Sequence, residues 1–204
     1  IPGTVGAAPI QNIGAYGHEV GEVIARVRTF DRKLREIKTL MASDLEFGYR
    51  TSLFKRDPDR YVVLDVTFHL RRGENSLPIQ YEELAKTLGV EIGARVAITD
   101  VRQAVLKLRD TKGMLATSGF NSAGSFFTNP IISKADPLPE GAPRWEQPDG
   151  SIKTSAAWLI EQAGFSKGLT RANVGISPKH VLALVNNGNG SAIALVELAM
   201  EIRD

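Results

Sequence analysis

The chain has 204 residues, 43% hydrophobic and 24% charged, and its 25 Lys and Arg residues nearly balance 23 Asp and Glu residues. This balance lacks the strong positive field typical of nucleic-acid-binding proteins, and no apolar run approaches the length of a membrane span. Since cysteine is absent, disulfides, thiolate catalysis and iron–sulfur clusters are excluded. We therefore expect a cytoplasmic protein with no nucleic-acid or membrane partner.

The chain opens on a glycine-rich segment, residues 1–17, with glycines at positions 3, 6, 14 and 17. Glycine permits positive-φ turns and lets backbone N–H groups approach a ligand without an intervening Cβ, which suits a diphosphate. Plain turns use the same residues. The dinucleotide fingerprint G-x-G-x-x-G and the P-loop spacing are both absent, which disfavours a classical NAD site or a P-loop. The segment predicts either a cofactor loop or a simple turn.

The first half of the chain predicts an antiparallel sheet followed by helices. Three segments have the alternation or the β-branched content of strands: 23–30, 34–37 and 61–70. Two later segments have apolar residues at helical spacing: 81–88 and 99–112. Ser43 is predicted to cap a short helical turn over 44–46, and Thr99 to cap the second long helix, which Gly113 ends.

A stretch rich in Gly, Ser, Asn and Thr, residues 113–124, predicts the joint between two domains, 1–113 and 114–204. The second domain is predicted to run strand, irregular loop, helix, strand and helix, over 126–132, 136–150, 154–163, 181–185 and 191–204. The loop contains four prolines, which disfavours regular structure. Because strands and helices mix without strict alternation, we predict an α+β fold.

Two residues are candidates for chemistry. Arg50 follows Phe47-Gly48-Tyr49, which could hold a guanidinium in a carboxylate-binding pocket; the alternative is a surface arginine beside a turn. Ser125 lies where a flexible segment enters a strand among aromatic residues; the alternative is a serine that bonds the backbone. The G-x-S-x-G motif is absent, so a hydrolase nucleophile is disfavoured. The three histidines are far apart and share no helical spacing with acidic neighbours, and we expect no metal site.

Several separated segments, taken together, resemble the UDP-N-acetylenolpyruvoylglucosamine reductases (MurB) in order and approximate spacing. They are residues 1–17, Phe47-Gly48-Tyr49-Arg50-Thr51-Ser52, Gly124-Ser125-Phe126-Phe127-Thr128-Asn129-Pro130, Asp149-Gly150-Ser151-Ile152-Lys153 and Ala157-Trp158-Leu159-Ile160. The resemblance implies an FAD-binding α+β domain followed by a smaller α+β substrate-binding domain. It also implies a flavoenzyme of bacterial peptidoglycan synthesis that uses NADPH and FAD to reduce UDP-N-acetylglucosamine enolpyruvate to UDP-N-acetylmuramate.

The same resemblance implies roles for individual residues. Arg50 would stabilise charge on the substrate carboxylate, and Ser125 would donate the proton that completes the reduction. The residues that would bind FAD are Gly3, Gly6, Ala7, Ile10, Gln11, Asn12, Gly14, Ala15, Tyr16 and Tyr49. The residues that would bind substrate are Tyr81, Arg109, Lys112, Asn129, Lys153 and His180, the last standing where other members place a glutamine.

Two parts of the family pattern have no counterpart in this chain: an N-terminal lobe that binds much of the FAD, and a C-terminal segment with the catalytic glutamate. We therefore expect a monomeric internal fragment that binds FAD weakly and is inactive alone, although the full-length protein is active. The alternative is a non-catalytic dinucleotide-binding or interaction module that retains the fold.

Overall fold

The computed structural model describes residues 3–115, 117, 119, 121–122 and 124–204. The chain divides into two compact units, Ile1–Val105 and Leu106–Asp204. Each combines short helices with small antiparallel sheets, which confirms the predicted α+β class. Predictions that concern Ile1, Pro2 and part of the 113–124 joint lie outside the described residues, and the predicted division into domains at residue 113 stays a prediction.

The opening segment of the first unit contains a short 3-10 helix and a tight hairpin. The 3-10 helix covers Val5–Ala7, and the hairpin joins β1 (Gly14–Ala15) to β2 (His18–Glu19). Tyr16 and Gly17 form the two-residue turn, and both have positive φ, 55° and 89°. This backbone conformation matches the natural twist of a two-residue hairpin, so the segment is more regular than a plain loop.

The central sheet of the first unit has three antiparallel strands. β3 (Ile24–Asp31) lies between β4 (Glu36–Met41) and β5 (Tyr61–Phe68). These strands confirm the three predicted ones, with shifts at their ends. The strand predicted from Leu34 begins two residues later because Arg35, with φ of 58°, belongs to the turn between β3 and β4.

The core of the first unit packs on one face of this sheet. Val27 of β3 contacts Leu45 and Phe54, and all three side chains are buried. Phe54 belongs to α1 (Leu53–Arg56), whose first turn is capped by the Ser52 hydroxyl: this oxygen accepts a hydrogen bond from the Phe54 N–H at 3.2 Å.

The short helical turn predicted near residue 44 is a 3-10 helix at Ala42–Leu45, but the predicted Ser43 cap is wrong. Ser43 lies inside the helix. The Asp44 carboxylate serves the helix start instead and accepts a hydrogen bond from the Met41 N–H at 2.8 Å. A carboxylate at this position also interacts favourably with the positive end of the helix.

Two longer helices follow, α2 (Glu82–Leu88) and α3 (Ile98–Thr111), and both confirm predictions. Gly89, with φ of 68°, ends α2 in the left-handed conformation that glycine adopts readily. The predicted Thr99 cap is wrong because α3 begins one residue earlier. Among the described residues, no helix is both long and apolar enough to cross a membrane.

The described part of the second unit contains the end of α3, two small sheets and two further helices. One sheet has β8 (Ile152–Lys153) between β6 (Ile131–Ile132) and β7 (Trp145–Glu146). The other has β10 (Val174–Ile176) between β9 (Thr170–Arg171) and β11 (Leu184–Asn186). The helices are α4 (Ala156–Gln162) and α5 (Ala192–Arg203).

Both helices of the second unit confirm predictions, and α5 packs its buried residues Leu198 and Ile202 against Val174 and Ile176 of β10. The strand predictions are less accurate. The predicted strand 126–132 is wrong except for β6, and the last predicted strand is displaced to β11. The loop predicted to be irregular contains β7. Strands of two or three residues are too short to show an alternation in the sequence.

Asp31 is a fully buried carboxylate at the end of β3. Its Oδ1 accepts hydrogen bonds from the Lys33 and Leu34 N–H groups at 3.0 and 3.1 Å, and its Oδ2 accepts two from the Arg60 guanidinium at 3.1 and 3.0 Å. The hydrogen bond from Arg60 lowers the pKa of Asp31 below its ordinary value, although burial opposes this shift. The carboxylate therefore joins the β3–β4 turn to the start of β5.

We predict that Asp31 makes the fold sensitive to acid. Because the native pKa is below that of the unfolded chain, the stabilisation is complete above the ordinary aspartate pKa of about 3.9 and is lost as the pH falls through the lower native pKa. Asp31→Asn should be less stable at neutral pH and should lose less stability in acid. Urea unfolding across this range measures both effects.

The exposed Asp59 provides the control, because Asp59→Asn should retain both the neutral stability and the acid loss of the unmodified protein. Equal losses of stability in acid for Asp31→Asn and the unmodified protein would contradict the prediction.

Candidate functional site

The guanidinium of Arg50 bonds directly to the opening segment. Its Nη2 donates to the Gly14 carbonyl oxygen at 2.5 Å, and its Nη1 donates to the Asn12 carbonyl oxygen at 3.4 Å. Two features that the sequence singled out separately, the glycine-rich opening and Arg50, therefore form one site within the first unit.

Arg50 lies at the tip of a tight turn. Gly48 and Thr51 exchange both backbone hydrogen bonds at 3.2 Å, and Arg50 has a left-handed backbone with φ of 53°. A residue with a Cβ in this region costs of order 1–3 kcal/mol and persists only where its surroundings hold it. Lys55 Nζ donates to the Arg50 carbonyl oxygen at 2.9 Å, and the guanidinium lies 5.1 Å from the centre of the Tyr49 ring.

Glu19 is the acidic partner of Arg50, and the sequence reasoning did not identify it. Its Oε1 accepts a hydrogen bond from Arg50 Nη1 at 3.1 Å, and its Oε2 accepts one from Asn12 Nδ2 at 2.6 Å. The signal that could have found it is the Tyr16-Gly17 pair, which suits a two-residue hairpin turn and so places Glu19 across from Gly14.

Asn12 connects three segments from inside the protein. The residue is 2% exposed, and its Nδ2 donates to Glu19 and to the Gly48 carbonyl oxygen at 3.0 Å. Its Oδ1 accepts from the Gly21 N–H at 2.8 Å. The side-chain amide is thus used to hold the site together, while the backbone carbonyl bonds Arg50. A direct role of Asn12 in cofactor binding stays a prediction.

The glycines of the opening segment differ in their surroundings. A Cβ at Gly14 would lie 2.7 Å from Arg50 Nη1 and 2.8 Å from Glu19 Cγ, so the close approach of the ion pair requires glycine there. A Cβ at Gly3 would have no described atom within 4 Å, and a Cβ at Gly6 would make only an ordinary contact, at 3.8 Å. Close packing therefore does not require glycine at these two positions.

The stretch from Gly3 to Ala7 has features suited to an anionic group. Gly3 has φ of 115°, and Val5 is 60% exposed. No described residue accepts a hydrogen bond from the Gly6 N–H. An N–H group without a described acceptor in a short helical turn fits the chemistry of a diphosphate.

The remaining residues predicted to contact a cofactor lie along the same segment. Ala7, Ile10 and Gln11 are exposed, whereas Ala15 and Tyr49 are half-buried. The segment is tied to α1 because the fully buried Ser52 donates its hydroxyl to the Ile10 carbonyl oxygen at 2.5 Å.

Tyr16 and Tyr81, predicted to contact the cofactor and the substrate respectively, meet in the first unit. Their rings are 5.5 Å apart and nearly perpendicular. Ala15, Tyr16 and His18 line one side of a cavity of about 290 Å³, and mainly apolar residues from 76–84 and α3 line the other. Tyr81 precedes α2 and is 39% exposed.

In the second unit, Ser125 is exposed and its backbone is held. Residue 125 forms an antiparallel bridge with Ala183, and the Phe126 N–H donates to the Leu182 carbonyl oxygen at 2.7 Å. No described residue hydrogen-bonds the Ser125 hydroxyl. The alternative of a serine that satisfies the backbone therefore has no support among these residues, whereas a proton donor needs an accessible hydroxyl.

Asn129 and Lys153 lie on connected segments. Asn129 Oδ1 accepts a hydrogen bond from the Ala156 N–H at 3.0 Å, so the amide NH₂ is the end available to a ligand. Lys153 is in the central strand β8, and the next residue along, Thr154, donates its N–H to the Pro130 carbonyl oxygen at 3.0 Å.

The other predicted substrate residues also belong to the second unit. Arg109 lies in the last turn of α3 and donates to the Met114 carbonyl oxygen at 3.2 Å, with Lys112 just beyond the helix. His180 is half-buried before β11, and its carbonyl oxygen accepts from the Ala183 N–H at 3.0 Å. Since Arg50 and Ser125 belong to different units, their joint action stays a prediction.

Within the described ranges, no three His, Cys, Asp or Glu side chains come together as metal ligands would. The ion pairs reported above for Asp31 and Glu19 involve arginine. The candidate site is therefore characterised by an arginine, by carboxylate and amide groups, and by backbone N–H groups.

Comparison with known proteins gives consistent matches along the chain. The family profile described as UDP-N-acetylenolpyruvoylglucosamine reductase, C-terminal domain, matches residues 116–204. The chain is 53% identical over its full length to the UDP-N-acetylenolpyruvoylglucosamine reductase of Cutibacterium acnes and 50% identical to that of Thermobifida fusca, of which it covers 56% and 61%. It thus spans less than two thirds of the length of these curated relatives.

A solved structure shares the fold. The crystal structure of UDP-N-acetylenolpyruvylglucosamine reductase (MurB) from Thermus caldophilus matches all of this chain and 57% of its own, with a TM-score of 0.60 and 23% sequence identity. The solved structure thus shows the α+β fold. Residues 116–204 match the C-terminal domain of the UDP-N-acetylenolpyruvoylglucosamine reductases, and the whole chain is similar to curated reductases of that name.

We predict that Gly14→Ala disrupts the candidate site. The added methyl group would overlap Arg50 Nη1, the His18 carbonyl oxygen and Glu19 Cγ, and such overpacking costs about 1–3 kcal/mol. Urea unfolding should show the loss. Gly6→Ala is the matched control, since its Cβ would meet only an ordinary contact at 3.8 Å and its φ is not positive. Equal stabilities of the two variants would contradict the assignment.

Proposed function

We propose that this chain belongs to a flavoenzyme that uses NADPH to reduce UDP-N-acetylglucosamine enolpyruvate to UDP-N-acetylmuramate in peptidoglycan synthesis. The observation that carries the proposal is the bonding of Arg50 to the opening segment, because it joins the group suited to a substrate carboxylate to the backbone suited to a cofactor. The similarity of the chain to proteins named UDP-N-acetylenolpyruvoylglucosamine reductase supports the same function.

The reaction adds a hydride to the β-carbon of the enolpyruvyl ether and a proton to its α-carbon, and NADPH is oxidised to NADP⁺. FAD, when bound, would supply the hydride transfer between NADPH and the substrate. The residues of this chain then have three tasks: to hold the two ligands, to stabilise negative charge on the substrate, and to provide the proton.

Arg50 is suited to the second task. Three hydrogen bonds to Asn12, Gly14 and Glu19 hold its guanidinium, so the group needs little reorganisation when charge develops on the carboxylate. Donors that are already oriented toward developing charge commonly supply the largest part of a rate enhancement.

The opening segment is suited to holding FAD. No described residue packs closely against Gly3 or Gly6, and the Gly6 N–H can donate to a diphosphate oxygen. Tyr16 belongs to the hairpin and Tyr49 to the turn that Arg50 joins, and their rings would give an aromatic cofactor apolar contacts.

Ser125 is proposed to donate the proton. A hydroxyl is a weak acid, so its contribution depends on position and on neighbouring charge. The backbone pairing of residues 125–126 with 182–183 fixes where this hydroxyl lies in the second unit. Asn129, Lys153, Arg109 and Lys112 would bind the UDP diphosphate and sugar, with Tyr81 and His180 as further contacts.

The proposed function can be tested with the protein at its full native length. We expect a yellow protein with a flavin absorbance band that oxidises NADPH when the UDP-sugar enolpyruvate is added, and that does so as a cytoplasmic monomer. A protein that binds a dinucleotide but shows no substrate-dependent NADPH oxidation would support the alternative of a non-catalytic module.

Ser125→Ala should separate the two halves of the reaction. Loss of a general acid costs about 10²–10⁴-fold in rate, so substrate reduction should slow by this factor while flavin reduction by NADPH remains. Rapid mixing with absorbance detection measures the two steps separately. Ser166→Ala, at another exposed serine of the second unit, should leave both unchanged. Loss of flavin reduction in Ser125→Ala with normal FAD binding would refute the proton-donor role.

A further inference from the structure

We propose that Glu19 is a positioning residue for Arg50. Through its bond to the guanidinium, Glu19 determines which N–H donors Arg50 presents to the substrate carboxylate. This inference rests on the proposed function, because it assumes that Arg50 binds that carboxylate. Glu19 itself need not contact the substrate or the cofactor. Its effect is exerted through the direction and the charge of Arg50.

The Glu19 carboxylate is held by two hydrogen bonds. Arg50 Nη1 donates to Oε1 at 3.1 Å and Asn12 Nδ2 donates to Oε2 at 2.6 Å. The Glu19 N–H donates to Glu22 Oε1 at 2.7 Å, which also fixes the backbone at Glu19. These bonds leave the carboxylate little freedom to follow a moving arginine.

Glu22 maintains this arrangement because it stays ionised. Partial burial raises the pKa of Glu22, but hydrogen bonds from the Glu19 N–H and from His18 outweigh it and hold the pKa below its ordinary value. His18 Nδ1 lies 2.9 Å from Glu22 Oε2. The turn that carries Glu19 is therefore tied down by its own charged groups.

The hydrogen bonds of Arg50 determine which of its N–H groups remain for a ligand. Nη1 is used by Glu19 and Asn12, and one hydrogen of Nη2 is used by Gly14. No described residue of the first unit accepts a hydrogen bond from Nε. A guanidinium has five N–H donors, so Nε and the second Nη2 hydrogen remain, and two donors can bind one carboxylate.

The charge of Glu19 adds a second effect. The ion pair is partly exposed, with 24% of the Arg50 side chain and 29% of the Glu19 side chain accessible. A substrate carboxylate would therefore approach an arginine whose charge is already partly compensated. Glu19 should weaken binding of the ground state while it holds Arg50 ready for the charge of the transition state.

The test compares Glu19→Gln with the unmodified protein at full native length. This substitution keeps the size of the side chain and removes its charge. We expect kcat for substrate reduction to fall by about tenfold or more, as when a transition-state donor is misplaced. The dissociation constant of the UDP-sugar, measured by titration of the oxidised protein, should stay equal or decrease, and flavin reduction by NADPH should not change.

A double-variant cycle with Arg50→Lys distinguishes a positioning role of Glu19 from a purely structural role. Because Glu19 acts through Arg50, Glu19→Gln should slow the Arg50→Lys variant by no more than about twofold. If the two substitutions lowered kcat independently, so that their effects multiplied in the double variant, the proposal would be overturned. Unchanged kcat in Glu19→Gln, or a loss that appears only as weaker substrate binding, would overturn it too.

Two further variants keep the test decisive. Glu19→Asp retains the charge but moves the carboxylate away from Arg50, because its side chain is shorter. This variant should lower kcat without tightening substrate binding. It replaces Glu19→Gln in the test if Glu19→Gln fails to fold. Glu46→Gln removes the acid of another arginine–glutamate pair in the same unit, with Arg56, and should leave kcat unchanged. If the unmodified protein lacks substrate-dependent NADPH oxidation, the proposed function itself fails, which is a different result from normal activity in Glu19→Gln.

Discussion

The contact between the Arg50 guanidinium and the opening segment is the interaction on which the candidate site depends. Arg50 reaches two backbone carbonyl oxygens, of Asn12 and Gly14, and one carboxylate, of Glu19. Its charge is thereby used to order a segment that has little apolar core of its own. Hydrogen bonds to charged donors are among the stronger ones available to a short loop.

This order has a conformational cost that the hydrogen bonds offset. Asn12, Tyr16 and Arg50 all have left-handed backbones without being glycine. Asn12 is held by its buried amide, and Tyr16 by the hairpin turn that brings Glu19 across from Gly14. Strain of this kind concentrates where position matters for function, and here the three residues surround one ion pair.

The two units are stabilised by different interactions. The first unit has longer strands around Val27 and a buried Asp31 that pairs with the half-buried Arg60, and its sequence shows clear alternation. The second unit has strands of two or three residues, and the sheet of β9, β10 and β11 packs against α5 in the core around Val174. Short strands of this kind form only when packing brings their partners together.

The glycines of the opening segment show that one residue type can occur in one sequence pattern for different structural reasons. A glycine-rich run predicted close approach of a ligand to the backbone. At Gly14 the close approach is made by Arg50 and Glu19 of the same chain, whereas a Cβ would meet only an ordinary contact at Gly6 and no described atom at Gly3. The residue type was informative in both cases, but only the packed structure distinguishes the two reasons.

The sequence by itself determined the α+β class, β3 and β5 and the four longest helices, and it singled out Arg50, because helical spacing, strand alternation and short motifs are local signals. Only the tertiary structure decided that Arg50 bonds Gly14, that Glu19 is its partner, and that the Asn12 amide is buried. These contacts join residues about 30 or more positions apart, or depend on the register of a two-residue hairpin. Such pairings follow from chain packing, which no local pattern encodes.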